Sequence, residues 1–212
     1  MDVVPILYQD AHLAVCVKPV GVDSQDGMCR LLSAQLGGEV FCVHRLDKAV
    51  GGVMVYARSA AAAAALGRAI ADGTLEKEYL AVCEGVPVPA AGAMRDLLYH
   101  DSAKNKTYVV QRQRRGVREA LLEYETLETR DGLSLVRVTL HTGRSHQIRA
   151  QFAARKLPLA GDGRYGAKTR GAIALWSAAL AFPHPVSGEA LRFTSAPPET
   201  PPWTGFAMKN AR

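Results

Sequence analysis

Apolar residues occur along this chain in short runs that are separated by glycine, proline and charged residues. Short runs with β-branched residues inside them and turn residues at their ends predict strands. Strands are predicted in this way at residues 12–17, 53–56, 75–83, 121–127, 133–140, 173–182 and 190–194. The sequence Arg130-Asp131-Gly132 lies between two of these runs and predicts a hairpin turn, because an Asp-Gly pair readily adopts the backbone angles of a tight turn.

Two other segments have the composition and spacing of helices. Residues 28–36 place apolar side chains on one side and are followed by Gly37-Gly38, which suits the end of a helix. Residues 60–70 are rich in alanine, the best helix former, and Ser59 before them is a suitable N-cap. Gly73 is placed to end this second helix.

A third helix is predicted to begin after Gly143-Arg144-Ser145. Within it, Ile148 and Phe152 share one face, so Arg149 lies beside an apolar stripe rather than opposite it. An arginine in that place can be held in a fixed orientation. Together, the strands and helices predict an α+β fold with a mixed, mainly antiparallel sheet flanked by helices and loops.

The length and composition allow one substantial core. The chain has 212 residues, of which 48% are hydrophobic, so we expect residues 1–212 to form a single domain. Lysine and arginine outnumber aspartate and glutamate by 26 to 20, which gives a net charge of +6. This charge favours an anionic partner such as nucleic acid, but a solvated cationic face would give the same balance.

The densest basic stretch surrounds Tyr108 and leaves two interpretations open. It is either a surface that follows RNA phosphates or a solvated strand edge that its charges protect from pairing. The cationic side chains of this stretch are Lys104, Lys106, Arg112, Arg114, Arg115 and Arg118.

The cysteines and the N-terminus indicate a cellular compartment. The four cysteines, Cys16, Cys29, Cys42 and Cys83, are widely separated, so we expect reduced core residues rather than a zinc knuckle or a disulfide framework. The first residues lack the basic start and apolar run of a signal peptide, and no apolar stretch is long enough to span a bilayer. We therefore expect a cytoplasmic protein that does not enter a membrane.

The sequence His44-Arg45-Leu46-Asp47 is the first candidate for chemistry. It lies between predicted strands and leads to Gly51-Gly52, so a tight loop presents a carboxylate and a guanidinium in the way that many active sites do. The alternative is an ordinary surface ion pair.

Other polar residues suggest no metal site, because no H-E-x-x-H pattern or cysteine cluster accompanies them. We expect His146 to order the loop before the third helix, and Asp162 to hold a glycine-rich turn through bonds to backbone amides.

Five segments, met in a fixed order, resemble the RluA family of RNA pseudouridine synthases. The similarity extends over about residues 7–197, nearly the whole chain. The segments are Lys18-Pro19-Val20-Gly21, then His44-Arg45-Leu46-Asp47 with Gly52, then Lys77-Glu78-Tyr79-Leu80-Ala81 ending at Gly85, then Thr142-Gly143-Arg144-Ser145-His146-Gln147-Ile148-Arg149, and finally Gly161-Asp162-Gly163-Arg164-Tyr165-Gly166.

This resemblance implies an enzyme that isomerises specific uridines to pseudouridine in structured RNA, ribosomal or transfer RNA. It makes Asp47 the essential carboxylate, Tyr79 the ring packed against the target base, and Arg149 the ion-pair partner of Asp47. It implies that Arg45 enters the RNA helix and fills the space left by the flipped uridine. It assigns further substrate contacts to His44, Arg144 and Ile148.

The resemblance further implies a compact catalytic domain without the S4 RNA-binding domain that many relatives carry. Such an enzyme needs no cofactor and no metal, and we expect a monomer without an obligatory protein partner. Substrate binding then rests on the catalytic domain alone.

The reaction itself explains why a carboxylate is needed. The bond from C1′ to N1 of the uridine breaks, the uracil turns, and a bond from C1′ to C5 forms. A carboxylate can attack C1′ or remove a proton from C2′ to give a glycal, and the sequence leaves both routes open. A guanidinium such as that of Arg149 favours the ionised carboxylate, and the hydroxyl of Tyr79 is a candidate base for the proton on C5.

The sequence departs from the family pattern at two places. Val50-Gly51-Gly52 stands where the family usually has threonine, serine and glycine, and Leu175-Trp176-Ser177 stands where leucine, histidine and alanine are common. The first departure removes two hydroxyls from the loop after Asp47.

Two rival functions remain open. One is an RNA-folding or ribosome-assembly factor that keeps the basic surface and performs little chemistry. The other is a nucleoside hydrolase or glycosidase, which would need a second carboxylate beside Asp47, and the sequence offers no convincing one.

Overall fold

A computed structural model gives the structure of the chain and describes residues 3–207. Its strands and helices follow one another in the order β1 (Ile6–Gln9), β2 (Leu13–Lys18), α1 (Asp26–Leu36), β3 (Phe41–Cys42), β4 (Gly51–Ala57), α2 (Ala60–Ala71), β5 (Glu76–Glu84), β6 (Ala91–Asp101), β7 (Lys106–Val110), β8 (Val117–Arg130), β9 (Leu133–Leu140), α3 (Gln147–Ala154), β10 (Leu175–Pro183) and β11 (Ala190–Thr194). Short 3-10 turns lie at Gly163–Tyr165 and Trp203–Gly205.

The chain divides into two compact units. One is formed by Met1–Lys77 with Trp176–Pro197, and the other by Glu78–Leu175 with Pro198–Arg212. Within each unit the described neighbouring strands run antiparallel, apart from the parallel pair β4 and β10. The predicted α+β fold with a mixed, mainly antiparallel sheet is therefore confirmed. That residues 1–212 act as one catalytic domain remains a prediction.

The first unit is built on the strand order β1-β2-β4-β10-β11, with the short strand β3 also paired to β4. Helix α2 forms as predicted, because the side chain of Ser59 accepts a hydrogen bond from the Ala62 amide at 3.2 Å and caps its N-terminus. Its apolar face packs on β2 and β4, where Leu66 lies with Val15 and Val55 in a fully buried cluster. Each such side chain contributes about 2 kcal/mol through burial.

The second unit is built on the strand order β5-β9-β8-β6-β7. The predicted hairpin turn between β8 and β9 is confirmed, since Asp131 and Gly132 have φ angles of 51° and 74°, as a tight hairpin turn requires. The sequence pattern did not predict β6 and β7, because their apolar residues alternate irregularly with charged ones. Helix α3 packs on this part of the sheet through Ala150, which lies beside Leu98 and Ala120.

The four cysteines are free. Cys16 and Cys83 are buried, as expected of core residues, whereas Cys29 and Cys42 are only half-buried, so the expectation that they lie in the core was wrong for these two. Within residues 3–207 the structure has no helix that combines the length and the apolar character needed to cross a membrane.

Candidate active site

The loop that carries Asp47 connects β3 to β4 in the first unit and is fixed by its backbone. The hydroxyl of Ser24 accepts a hydrogen bond from the Leu46 amide at 3.0 Å and donates one to the Leu46 carbonyl at 2.7 Å. The Asp47 carbonyl accepts from the Val50 amide at 2.9 Å and closes a turn. Asp47 is half-buried, whereas Arg45 is exposed. The carboxylate therefore comes from a rigid support and the arginine extends into solvent.

Lys18 is fully buried and joins the first sequence segment to this loop. Its ammonium donates to the carbonyls of Pro19 at 2.9 Å, Val22 at 2.7 Å and Lys48 at 3.5 Å. The Lys48 carbonyl also accepts from the Gly21 amide at 2.8 Å. The structure thus brings the segment that begins at Lys18 against the residue that follows Asp47, a connection that the sequence analysis missed.

The charge on Lys18 is held in place by nearby carboxylates. Burial lowers the pKa of Lys18 to about 8, and the negative charges of Asp23 and Asp47 oppose that shift. At neutral pH the ammonium is therefore mostly protonated. The signal in the sequence was a lysine at the end of an apolar strand, directly before proline.

His44 holds the same loop against β4. Its Nε2 accepts a hydrogen bond from the Val55 amide at 3.2 Å. Burial, with a smaller contribution from the charge of Lys77, lowers the pKa of His44 to about 3, so the ring is neutral at physiological pH. This bond gives His44 a structural role, and its predicted contact with substrate remains a prediction.

Two glycines allow the end of the loop to meet β10 closely. Gly51 and Gly52 are paired with Trp176 and Ser177 in the parallel register. Gly52 has a φ of 120°, and a Cβ there would lie 2.2 Å from the Ser177 carbonyl oxygen. Only glycine fits at this position, because any side chain would meet backbone atoms.

Tyr79 and Arg149 belong to the second unit. Tyr79 lies on β5 opposite Val138 of β9 and is buried, with 6% of its surface exposed. Arg149 lies on α3 and is also buried, with 4% exposed. The convergence of Asp47 with these two residues, including the ion pair of Asp47 and Arg149, remains a prediction.

Asp162 holds Arg149 in a two-point ion pair. Nε of Arg149 donates to one carboxylate oxygen of Asp162 at 2.6 Å, and a terminal nitrogen donates to the other at 2.9 Å. The expectation that Asp162 bonds to backbone amides of the glycine-rich turn was wrong, since its side chain caps no amide of the 3-10 turn and faces the guanidinium. Two-point pairing fixes the plane of an arginine as well as its position.

Tyr165 completes the surroundings of Arg149. The guanidinium carbon lies 5.0 Å from the centre of the Tyr165 ring, at a distance typical of a cation–π contact. The Tyr165 hydroxyl accepts from the Thr107 amide at 2.8 Å and lies 3.1 Å from Nδ1 of His146. His146 therefore contacts the glycine-rich turn, and its expected role in ordering the loop before α3 remains a prediction. The glycine-rich turn and helix α3 therefore both contribute to the surroundings of Arg149.

Gln147 fixes the start of α3 and with it the position of Arg144. Its side-chain oxygen accepts from the Arg144 amide at 3.1 Å, and its nitrogen donates to the Leu121 carbonyl at 3.2 Å. Arg144 is exposed and donates from Nε to the Glu119 carbonyl at 2.9 Å. Ile148, in contrast, is 4% exposed and lies in the core. Substrate contacts of Arg144 and Ile148 remain predictions.

Among residues 3–207, histidine, cysteine, aspartate and glutamate side chains do not gather in groups of three or more that could hold a metal ion.

Comparison with known proteins identifies a consistent set of relatives. A family model described as RNA pseudouridylate synthase matches residues 12–154. An uncharacterised RNA pseudouridine synthase of Mycobacterium bovis is 33% identical, over 91% of this chain and 69% of that protein. The ribosomal large subunit pseudouridine synthase D of Xanthomonas campestris is 32% identical, over 92% of this chain and 66% of that protein. This chain thus spans about two thirds of the length of these relatives.

Solved structures agree in fold. Human RNA pseudouridylate synthase domain containing 1 superposes with a TM-score of 0.81 at 22% identity, covering 93% of this chain and 85% of that one. Human RNA pseudouridylate synthase domain containing 4 superposes with a TM-score of 0.77 at 24% identity, covering 92% and 88%. At these identities the similarity supports the fold alone.

Proposed function

This chain belongs to the RNA pseudouridylate synthase family, as an RluA-type isomerase that converts uridine to pseudouridine in RNA, and we propose that Asp47 is its essential catalytic carboxylate. The observation that carries this assignment is the fixed loop. Ser24 holds both backbone groups of Leu46, and Lys18 binds the carbonyl of Lys48. The residues on both sides of Asp47 are thus held in place, as precise positioning of a reacting group requires.

The carboxylate of Asp47 acts in its ionised form on the ribose of the target uridine. It either attacks C1′ as the bond to N1 breaks or removes a proton from C2′. In both routes the uracil turns while it remains bound. C5 then bonds to C1′, and this bond formation displaces the Asp47 carboxylate in the first route or is accompanied by return of the proton to C2′ in the second. Finally C5 loses its proton and N1 gains one. The ammonium of Lys18, which interacts electrostatically with Asp47, stabilises negative charge in this loop.

Arg149 is proposed to pair with Asp47 and to support its ionised form. A guanidinium carries five N–H donors in one plane, so the two-point bond to Asp162 is compatible with a second carboxylate partner. Asp162 and Tyr165 then act as positioning residues, because they hold Arg149 without contacting the reacting atoms.

Tyr79 is proposed to pack against the uracil and to accept the C5 proton through its hydroxyl. Its burial on β5 supports a fixed ring rather than a mobile one. Arg45 is exposed and suits insertion into the base stack after the uridine flips out, because its planar cation can both stack and bind phosphate. His44, Arg144 and Ile148 are proposed as further substrate contacts.

The substrate is proposed to be a structured RNA, either ribosomal or transfer RNA. A relative named for the large ribosomal subunit makes ribosomal RNA the first to test. Base flipping from a folded RNA lets an enzyme recognise shape as well as sequence.

The test compares the wild-type protein with Asp47→Ala and Asp47→Asn on total ribosomal and transfer RNA from a strain that lacks this gene. Asp72→Asn, at an exposed position after α2, is the matched control. We expect new pseudouridines, mapped chemically, with the wild type and the control only. A folded Asp47→Ala protein that still modifies RNA would refute the assignment. Release of free uracil would favour the hydrolase, and RNA binding without modification would favour the assembly factor.

A further inference from the structure

The segment that begins with β7 and ends at the start of β8 concentrates positive charge. Residues 105–118 contain five lysines and arginines and no acidic residue. Three of the five, Arg112, Arg114 and Arg115, lie in a connecting loop at residues 111–116, here termed the arginine loop. Each residue of this loop is exposed to solvent.

The charge of the arginine loop is not neutralised within the protein. None of its three arginines forms a salt bridge with the described residues of the chain. Other arginines behave differently, since Arg149 and Arg155 both bind carboxylates. Solvated guanidinium groups are available for anions from outside, and they bind phosphate through two parallel hydrogen bonds.

The arginine loop is ordered by its own bonds. The Val117 amide donates to the Arg114 carbonyl at 3.0 Å, and the side chain of Gln113 donates to the Val117 carbonyl at 3.3 Å. Gly116 has a φ of 84°, and a Cβ there would lie 3.5 Å from the ring of Tyr99. The loop therefore folds back over that ring, and less conformational entropy is lost when it binds a ligand.

Two tyrosines stand beside these cations. Tyr99 on β6 is paired with Tyr108 on β7, so both side chains lie on the same face of the hairpin. The guanidinium carbon of Arg114 lies 4.7 Å from the centre of the Tyr99 ring, and Nζ of Lys106 lies 5.6 Å from that of Tyr108. Tyr108 is 37% exposed, although burial of a tyrosine ring is energetically favourable.

We propose that the arginine loop and the adjacent Tyr99–Tyr108 pair form a binding surface for a single-stranded segment of the substrate RNA. The arginines bind successive phosphates, and an unpaired base stacks on Tyr108. Cations interleaved with exposed aromatic rings are the combination that binds single-stranded nucleic acid with little sequence preference. This inference rests on the proposed function, because it takes RNA to be the substrate.

The first experiment tests the charges. The variant Arg112→Gln/Arg114→Gln/Arg115→Gln is compared with Arg30→Gln/Arg68→Gln/Arg170→Gln, which removes three exposed arginines elsewhere. Binding of a fluorescent single-stranded RNA oligonucleotide is measured by anisotropy from 50 to 200 mM salt. We expect the slope of log affinity against log salt to fall by about 2 in the first variant, at about 0.7 for each lost phosphate contact. Equal slopes for the two triple variants would overturn the proposal.

The second experiment tests stacking. Tyr108→Ala is expected to weaken RNA binding about tenfold without changing the salt slope, since base–aromatic stacking contributes about 1–3 kcal/mol per base. Tyr108→Phe keeps the ring and is expected to bind as the wild type does. If Tyr108→Ala binds equally well, the tyrosine has no part in the surface.

Single-turnover isomerisation at saturating RNA separates this inference from the proposed function. The arginine-loop variant should reach the wild-type rate once it is saturated, because none of its changed residues has been placed in catalysis. If the wild-type protein binds RNA through the arginine loop but forms no pseudouridine, the proposed isomerase function is refuted and the proposed RNA-binding surface is supported. If the enzyme is fully active and its affinity for RNA does not depend on the arginine loop, only the proposed RNA-binding surface is refuted.

Discussion

The indole ring of Trp176 occupies the space in which a side chain on Gly51 would stand. A Cβ at Gly51 would lie 2.3 Å from Cζ3 of Trp176 and 3.0 Å from the Lys18 carbonyl oxygen. The indole nitrogen donates to the Ser195 carbonyl at 3.0 Å, which holds the ring in this position. These are the two places at which the sequence departs from the RluA pattern, so the two departures are in contact and fit each other.

A double-mutant cycle tests this fit. Gly51→Ser should lower the free energy of unfolding by about 1–3 kcal/mol through overpacking, and Trp176→His by about 3 kcal/mol through the lost aromatic volume. The double variant should cost at least about 1 kcal/mol less than the sum, because the smaller imidazole leaves room for the serine and the serine fills part of the space that the indole vacates. Urea unfolding gives the free energy of unfolding of the wild type, the two single variants and the double variant.

Gly67→Ser is the matched control for this cycle, since a Cβ at Gly67 meets nothing within 4 Å. It should combine additively with Trp176→His. Additive effects for Gly51→Ser as well would show that the two positions are independent.

The ion pair of Arg149 and Asp162 should be important for stability. Asp162→Asn is expected to lower the free energy of unfolding by about 3 kcal/mol, because it removes a carboxylate from a buried guanidinium. Glu125→Gln removes a carboxylate from Arg137 on the exposed surface and should cost less than about 1 kcal/mol. Thermal or urea unfolding distinguishes them, and equal costs would contradict the importance given to the buried pair.

Lys18 should make stability depend on pH above neutrality. Its pKa is about 8 in the folded protein and ordinarily 10.5, so between these values the unfolded chain holds a proton that the folded one has lost. Stability from this group therefore rises with pH. The unfolding free energy of wild type minus that of Lys18→Met should increase by about 2 kcal/mol from pH 8 to pH 10. A constant difference across this range would show that Lys18 keeps its ordinary pKa.

Asp10 should govern stability in acid. Its carboxylate accepts from the amides of His12 and Leu13, from Tyr8 and from His184, the last at 2.8 Å. Burial alone would raise the pKa of Asp10, but these bonds outweigh it and lower the pKa to about 2.

The folded-state pKa of Asp10 is thus below its ordinary value of 3.8, so its contribution is present above pH 4 and is lost as the pH falls to 2. Asp10→Asn should lower the unfolding free energy by about 2 kcal/mol at pH 6 and by almost nothing at pH 2. Asp72→Asn serves as the exposed control. A cost for Asp10→Asn that stays the same at both pH values would contradict this account.

Local elements followed directly from the sequence. The alanines and the cap at Ser59 were enough to predict helix α2, and Asp131 and Gly132 were enough to predict the β8–β9 hairpin. In each case the bonds that define the element join residues close in the chain. The order of the five family segments, with Asp47 among them, likewise came from the sequence, because a motif is a local pattern.

Strands β6 and β7 were not predicted, because the apolar positions in them are too irregular to show a period of two. These strands exist because β8 pairs with β6, and β6 with β7, over many residues. Hydrogen bonding and packing against a neighbouring strand stabilise a strand whose own pattern is weak.

The sequence by itself determined the α+β class, the α2 helix and the hairpin, and it singled out Asp47, Tyr79 and Arg149 as candidates for catalysis. Only the tertiary structure decided that Asp162 holds Arg149, that Lys18 binds the carbonyl of Lys48, and that Trp176 fits over Gly51. The physical reason is distance along the chain. Short-range hydrogen bonds and periodicity depend on residues that are close in the sequence. Buried ion pairs and close packing depend instead on which distant segments the fold brings together.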